Sequence, residues 1–347
     1  MPYDLRNLNL STWSVVRFFL VLLALGLIYV IRDVLAALFF AIIVASALEP
    51  AIGWLKNRKI PRLLGVILIY MALGVILFFF IYMVFPLFFD EFKNISTTYP
   101  ALQKQILSSI EQIAPLPVAS DIKISVQGLL AIPADYLSKL GGGIADFASA
   151  VFGGLLSFVL LVVFSFYLAA QEKGIETFLR MVTPLAYEPY IIHLWIRSQK
   201  KLGRWLQAQI LLGAIIGVLV FFGLTFLGVE HALLFAFLAA AFEIIPVVGP
   251  ILAAVPAVIV AFLDSSVLGF FTLILYVVAQ QVESHVIVPV VMRKTVGLSP
   301  LIVVFALVVG GKVGGIFGIL LAVPIMAIMA ELLEDWDKKK RSLIPGS

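Results

Sequence analysis

The sequence contains no cysteine, which excludes disulfide bonds, thiol catalysis and metal sites with cysteine ligands. Charged residues are scarce as well, at 13% of 347 residues, whereas 63% are hydrophobic. The mean hydropathy is +1.14. Such a composition is typical of a helical protein that crosses a membrane several times, and we therefore predict an all-α polytopic membrane protein.

Enzyme motifs are also missing. The chain has no HExxH, no GxSxG and no Walker loop, and no second histidine stands at metal-ligand spacing from His285. We therefore predict no enzymatic activity, no cofactor and no bound metal. The net charge of +4 does not indicate nucleic acid as a partner, because the basic residues gather at the ends of apolar runs, where they set orientation in a lipid bilayer.

Long apolar runs predict about six transmembrane helices, at 13–31, 34–55, 63–89, 147–170, 202–227 and 267–289. The basic clusters between these runs all fall on one face of the membrane, which predicts that both chain ends are cytoplasmic. The chain is then expected to divide into scaffold helices at 1–90, an external insert at 91–146, a transmembrane helix with cytoplasmic amphipathic helices at 147–201, two hairpin-bearing units at 202–266 and 267–336, and a basic tail at 337–347.

One apolar stretch, 232–263, is broken in its middle at Pro246, Gly249 and Pro250. Each arm has roughly 14 residues and reaches about 21 Å, which is less than a hydrocarbon core of about 30 Å. Because proline lacks a backbone donor and disfavours helix in the residue before it, we predict a helical hairpin with its tip here. Irregular backbone at membrane depth must be buried in protein or line a watery cavity, so this tip is a candidate site.

A second stretch, 299–332, has the same design, with glycines on both sides of Lys312 at its break. The downstream arms match at five positions, 251, 252, 254, 255 and 256 against 319, 320, 322, 323 and 324. Each hairpin follows one long apolar run, so each unit has an odd number of passages whether its hairpin re-enters or spans twice. We therefore predict an inverted repeat, which is typical of secondary transporters with a site between the repeats.

Two groups of ionisable residues lie within apolar segments, where they are costly and are candidates for function. Glu243 precedes the first tip and is either a proton carrier or solute ligand, or a protonated carboxyl bonded to a neighbouring helix. A polar cluster in the run 267–289 is either part of the site or the interfacial end of that helix. Its members are Gln280, Gln281, Glu283, Ser284 and His285. Spacing places Gln280 with Glu283 and Gln281 with His285.

Lys312 at the second break has two readings. It attracts an anionic or hydroxylated solute, or its long side chain extends to the cytoplasmic surface. Gly310, Gly314 and Gly318 follow one another at intervals of four residues, a spacing that lets helices approach closely, and this predicts a packing role for them.

Several motifs together carry a family resemblance. They are FEIIPVVGP at 242–250, Val255 with Pro256, Gln281 to Glu283, Val288 with Pro289, Leu298 to Leu301 (which includes Ser299 and Pro300), Gly310 with Gly311, Gly314, and Gly318 to Pro324. With these motifs the chain resembles the autoinducer-2 exporter family of bacterial inner-membrane permeases. The resemblance covers nearly the whole chain in layout and is specific in the last third.

The resemblance implies transport of a small polar solute, such as the polyhydroxylated furanone autoinducer-2, or sodium/proton antiport. It also implies a homo-oligomer, with a pentamer as one form, in the bacterial cytoplasmic membrane. Many members of the family carry asparagine where this chain has Glu243, and the substitution favours coupling to protons or cations.

We therefore predict a secondary transporter that exports a small polar solute by alternating access, coupled to protons or cations. One alternative is a cation/proton antiporter in which Glu243 and Glu283 exchange the ions. Another is a membrane scaffold that transports nothing and recruits partners.

Overall fold

The computed structural model describes residues 12–79, 81–82, 86, 104, 155–292 and 299–342. These residues are almost entirely helical and contain no strand, which confirms the predicted all-α fold. The insert predicted at 91–146 lies outside the described residues except for residue 104. The predicted unit boundaries stay predictions.

The helices are named in chain order. They are α1 (Thr12–Val30), α2 (Arg32–Asn57), α3 (Arg62–Phe79), α4 (Leu155–Ala170), α5 (Gly174–Val182), α6 (Glu188–Leu227), α7 (Ala232–Phe242), α8 (Val248–Asp264), α9 (Ser266–Val282), α10 (Val288–Met292) and α11 (Pro300–Ser342). A five-residue π-helix, Glu283–Ile287, joins α9 to α10.

In the described part of the chain, five helical segments are long and apolar enough to cross a membrane. They are α2, α3, α6, the segment Ser266–Val291 and the second arm of α11, Phe317–Lys338. A sixth is obtained if α4 and α5, which meet at an 86° bend, count as one span. The run at 13–31 forms the apolar helix α1 but is not among these spans.

The outer surface is apolar. Phe226 is 92% exposed, and Phe222 and Val267 are also largely exposed. A surface rich in large exposed apolar side chains fits contact with lipid, and together with the spans it supports a multi-pass membrane protein.

Both predicted breaks occur where the sequence places them. Hairpin 1 consists of α7, a tip at residues 243–247 and α8. Hairpin 2 is α11, which is kinked at Gly314 and Gly315 into the arms Leu301–Gly315 and Phe317–Lys338. The matched prolines Pro256 and Pro324 both lie inside second arms. The inverted relation of the two units stays a prediction.

Helix α6 packs against α2, α7, α9 and α11 and therefore connects the parts of the fold. Its C-terminal half joins an apolar cluster with α7, α8 and Tyr276 of α9. Its N-terminal half joins a second cluster with α2 and both arms of α11. A third cluster is formed by α2, α3 and α4. Hairpin 1 and hairpin 2 are thus both seated on α6.

Ion pairs fasten α2, α3 and α4 at one end. The Arg62 guanidinium donates two hydrogen bonds to Glu49, at 2.8 and 2.7 Å, and a third to the Ala169 carbonyl oxygen at 2.9 Å. Lys56 Nζ lies 2.6 Å from Glu172 Oε1 and lowers the pKa of that carboxyl. This corner is the part of the chain that was predicted to face the cytoplasm.

A second ion-pair group joins α6 to the second arm of hairpin 2. Arg197 pairs with Asp335 and, at 2.8 Å, with Glu331, while Lys201 lies 2.8 Å from the same glutamate. These four side chains are between 12% and 29% exposed, so solvent screens them only in part.

Candidate functional site

The first tip holds a buried carboxyl group. Helix α7 ends at Phe242, and Glu243 follows as its C-terminal cap. Glu243 is only 1% exposed. A buried carboxylate is costly unless it is protonated or paired. Glu243 therefore needs a partner.

That partner is Glu283, the first residue of the π-helix, which is 6% exposed. The two carboxyl groups are neighbours, and both are buried away from water. Because an ionised carboxylate only accepts hydrogen bonds, a bond between two carboxyl groups requires a proton on one of them. Glu243 Oε2 has no hydrogen-bond partner among the described residues.

The π-helix divides the predicted polar cluster. Glu283 is buried and Gln280 is half-buried, with Nε2 3.4 Å from the Ser284 hydroxyl, while Gln281, Ser284 and His285 are exposed. His285 Nδ1 lies 3.0 Å from the Gln281 carbonyl oxygen, and the Ser284 hydroxyl donates to the Gln280 carbonyl oxygen at 2.8 Å. Short π-helical turns occur frequently at functional sites. Here the turn begins at the residue that faces Glu243.

Sequence reasoning missed Gln209 of α6. Gln209 is 2% exposed, and its side-chain Nε2 donates a hydrogen bond to the main-chain carbonyl oxygen of Glu243. The last carbonyls of a helix lack partners within that helix, so this bond satisfies one at the end of α7. Gln209 Oε1 is buried without a hydrogen-bond partner in the described part of the chain. The sequence feature that could have identified Gln209 is its amide side chain within the apolar run 202–227.

Glycines let α7 approach α6 beside Gln209. A Cβ atom on Gly213 would lie 2.5 Å from the Ala240 carbonyl oxygen and 3.4 Å from Glu243 Cβ. A Cβ atom on Gly217, one turn further, would lie 2.9 Å from Ala240 Cβ. The face of α6 that packs against α7 therefore has no side chain at Gly217 and Gly213, and the side chain of Gln209 follows one turn before Gly213.

The backbone of the first tip is tight. Val247 has φ +68°, a left-handed conformation that is strained for a β-branched residue. The Val248 amide donates to the Pro246 carbonyl oxygen at 2.7 Å. A Cβ atom on Gly249 would overlap the Phe242 carbonyl, so only glycine fits there. Pro250 lies in the first turn of α8, where its missing N–H leaves no helical bond unmade.

Comparison with known proteins shows the family of the chain. The family model described as "AI-2E family transporter" matches residues 18–338. The chain belongs to the AI-2E family of transporters.

Relatives of this AI-2E family member cover most of its length. It is 28% identical over 307 residues to "Putative transport protein YueF" of Bacillus subtilis, which covers 85% of this chain and 83% of that protein. It is 25% identical to "Putative transport protein YhhT" of Escherichia coli K12, over 86% and 82% of the two chains. It is 23% identical to "AI-2 transport protein TqsA" of Escherichia coli K12, over 87% and 86%. The predicted family resemblance is confirmed.

The AI-2E family match includes both hairpins. The predicted site residues of hairpin 2, however, are more exposed than the carboxyl pair at the first tip. Lys312 and Gly314 at the second break are exposed, and so is Ser299 before α11 begins at Pro300. A Cβ atom on Gly310 would overlap the Gly318 carbonyl.

Gly311 is half-buried, with Ile319 3.2 Å from the place of its missing Cβ, whereas nothing lies within 4 Å of that place on Gly314. The arms of hairpin 2 thus meet at Gly310 and Gly318. Gly314 is exposed at the kink and contacts none of the described residues at that place, so the packing role predicted for it stays a prediction.

Proposed function

We propose that this AI-2E family member is a secondary transporter that exports a small polar solute, such as autoinducer-2, in exchange for protons carried by Glu243 and Glu283. The observation that carries the proposal is the buried pair of carboxyl groups at the tip of a broken helix. Broken helices at membrane depth are where secondary transporters place their solute and ion sites.

The chemistry of the pair supports coupling. In the closed state the pair needs a proton, because two ionised carboxylates buried side by side repel each other and lose their hydration. When the tip opens to water on one side, water hydrates the carboxyl groups and both can ionise. The pair then releases its proton to that side or takes one up from it. A conformational change that exposes the tip alternately to the two sides therefore links proton movement to solute movement.

The surroundings of the pair support a hydroxylated solute. Gln209 Oε1 and Glu243 Oε2 are acceptors without a hydrogen-bond partner among the described residues. Hydroxyl groups of a small polar solute would supply the missing donors. The relative TqsA is named an AI-2 transport protein, which supports the same solute class. The bacterial relatives and the basic clusters support a cytoplasmic membrane with both chain ends inside.

The test is flux in proteoliposomes that contain a pH-sensitive dye and the purified full-length protein. We expect autoinducer-2 efflux to be accompanied by proton movement, and Glu243→Gln and Glu283→Gln to abolish that movement while the protein still folds. Glu334→Gln is the matched control, because Glu334 is exposed on α11. Normal coupled flux in Glu243→Gln would refute the assignment.

Cation/proton antiport is the second candidate. It is favoured by the same cluster of buried oxygen atoms, since carboxylate and amide oxygens also bind hard cations. Proton movement driven by sodium or potassium without autoinducer-2, and absent in Glu243→Gln, would select it. Silence in every arm would favour a membrane scaffold instead. Self-association into a homo-oligomer, pentameric or otherwise, is a further proposal that the mass of the detergent-solubilised protein tests.

A further inference from the structure

One face of α9 carries an unusual line of buried residues. The buried positions of this helix and its π extension are Gly269, Thr272, Tyr276, Ala279 and Glu283. Their spacing of three and four residues places them on a single stripe. Three of the five are polar although the helix crosses an apolar core, and the stripe ends at the carboxyl pair.

Two hydroxyl groups in this stripe have no hydrogen-bond partner in the described part of the chain. Thr272 is fully buried and Tyr276 is 8% exposed, and neither Thr272 Oγ1 nor Tyr276 Oη is bonded. In a helix, threonine commonly bonds to the carbonyl one turn before it, but this one does not. Unpaired polar groups are costly inside a membrane protein, so their retention on one line needs a reason other than packing.

Helix α8, which packs against α9, has small buried side chains. Helices α8 and α9 are adjacent and antiparallel, since they are joined at Ser265 and pack together. Along α8, Ala253, Ala257 and Ala261 are fully buried in the cluster that contains Tyr276. Helix α8 therefore contributes small apolar side chains to this cluster.

The exposed end of this line, called the entrance below, is the turn between α8 and α9. The Phe262 ring lies against Gly269, the stripe residue nearest to that turn. Asp264 and Ser265 are exposed there, and Glu230 is exposed on the turn at the same end of hairpin 1. From Thr272 to Glu283 the stripe covers about 16 Å at 1.5 Å per residue. The titratable groups along this line are Asp264 and Glu230 at the entrance, Tyr276 in the middle and the Glu243–Glu283 pair at the end.

We propose that Thr272 and Tyr276 line a hydrated path between α8 and α9, through which protons pass from the Asp264–Ser265 turn to the Glu243–Glu283 pair. Water is the co-reactant: each hydroxyl takes up a proton from a protonated water on one side and releases its own proton to a water on the other side. Each hydroxyl then rotates back to its starting orientation, and the transferred proton ends on a carboxylate oxygen of the pair. The path rests on the proposed proton coupling.

The test removes single oxygen atoms. Thr272→Val and Tyr276→Phe keep the shape of the side chains, and we expect each to slow proton uptake about tenfold after an acid jump on the Asp264 side. An acid jump on the other side should give wild-type rates. The melting temperature should stay equal or rise, because an unpaired buried hydroxyl has been removed. Thr272→Ser, which keeps the hydroxyl, should restore the rate.

Exposed residues supply the matched controls. Thr225→Val on α6 and Tyr167→Phe on α4 make the same chemical changes at exposed positions, and both should behave as wild type. The orientation of the protein in the vesicles is set by protease access to the C-terminal tail.

Glu243→Gln in the same vesicles separates the two proposals. If it abolishes coupling while Thr272→Val and Tyr276→Phe keep wild-type rates on both sides, the path is wrong and the coupling stands. If both variants slow uptake equally from the two sides, the effect is structural and the path is wrong. If Glu243→Gln is itself fully coupled, both proposals fail.

Discussion

The two hairpins have the same pattern in sequence and different surroundings in the structure. Each has two apolar arms, a break, and a matched proline in the second arm. The first tip buries Glu243 at 1% exposure and Ile245 at 8%, although Val247 at its end is 47% exposed. The second break is exposed and carries Lys312. The repeated pattern therefore determines where the chain turns, and the neighbouring helices determine whether the turn becomes a buried site.

The hairpins are also held by different forces. Hairpin 1 is seated by close backbone contact at Gly213 and by the neutral bond from Gln209. Hairpin 2 is fastened by charges, through Arg197 to Asp335 and Glu331. Backbone contact is insensitive to salt, whereas partly exposed ion pairs weaken as ionic strength rises. The attachments of the two hairpins should thus respond to different conditions.

The largest difference should come from adding one methyl group at each break. Gly249→Ala would force a Cβ atom into the Phe242 carbonyl, whereas Gly314→Ala meets open space. We expect Gly249→Ala to lose about 1–3 kcal/mol of stability and its transport. Gly314→Ala should change stability by less than about 0.5 kcal/mol. Thermal unfolding in detergent and flux in liposomes measure both, and equal effects would show that the tips are packed alike.

The next effect should come from Gln209. Gln209→Leu leaves the Glu243 carbonyl unsatisfied, which costs about 1–3 kcal/mol, and it should lower coupled flux about tenfold or more. Gln209→Glu can donate to that carbonyl only when protonated, so its flux should recover as the pH falls. A flux that rises with pH in this variant would contradict the role.

Gln207 is the matched control for this experiment. It lies on the same helix, is half-buried, and donates to the Ala47 carbonyl oxygen of α2 at 2.6 Å. Gln207→Leu should lower the melting temperature by a similar amount and leave flux per folded protein unchanged. If both variants reduce flux equally, Gln209 acts only through stability.

A smaller effect is expected from the ion pairs of hairpin 2. Arg197→Glu should cost about 1 kcal/mol at low salt and less at high salt, and adding Asp335→Arg should recover part of the loss. Asp337→Asn is the control, because its pair with Arg341 is exposed and lies within one helix. Thermal unfolding at two ionic strengths measures the coupling. A loss independent of salt would place the contribution in packing instead.

Local patterns in the sequence predicted the fold class, the family and both breaks, and they singled out Glu243 and Glu283 as candidate site residues. They did so because apolar runs, prolines and charges at membrane depth are visible over short windows. They did not identify Gln209, whose role depends on a contact 34 residues away, or the pairing of Arg197 with Asp335 across 138 residues. Such contacts follow from helix packing, which periodicity alone does not determine. The exposure of Lys312 was left open for the same reason.

The smallest effect is expected at Lys312, and it bears most directly on the comparison of the hairpins. Because this side chain is exposed and makes no described contact with the carboxyl pair, Lys312→Met, which keeps the apolar stem, should change flux less than twofold. Its stability should change by less than about 0.5 kcal/mol. A tenfold loss that Lys312→Arg restores would mean that a positive charge at the second break meets the solute. The two breaks would then lie at the two ends of one transport path. Burial in this structure would then not distinguish a break that meets the solute from one that does not.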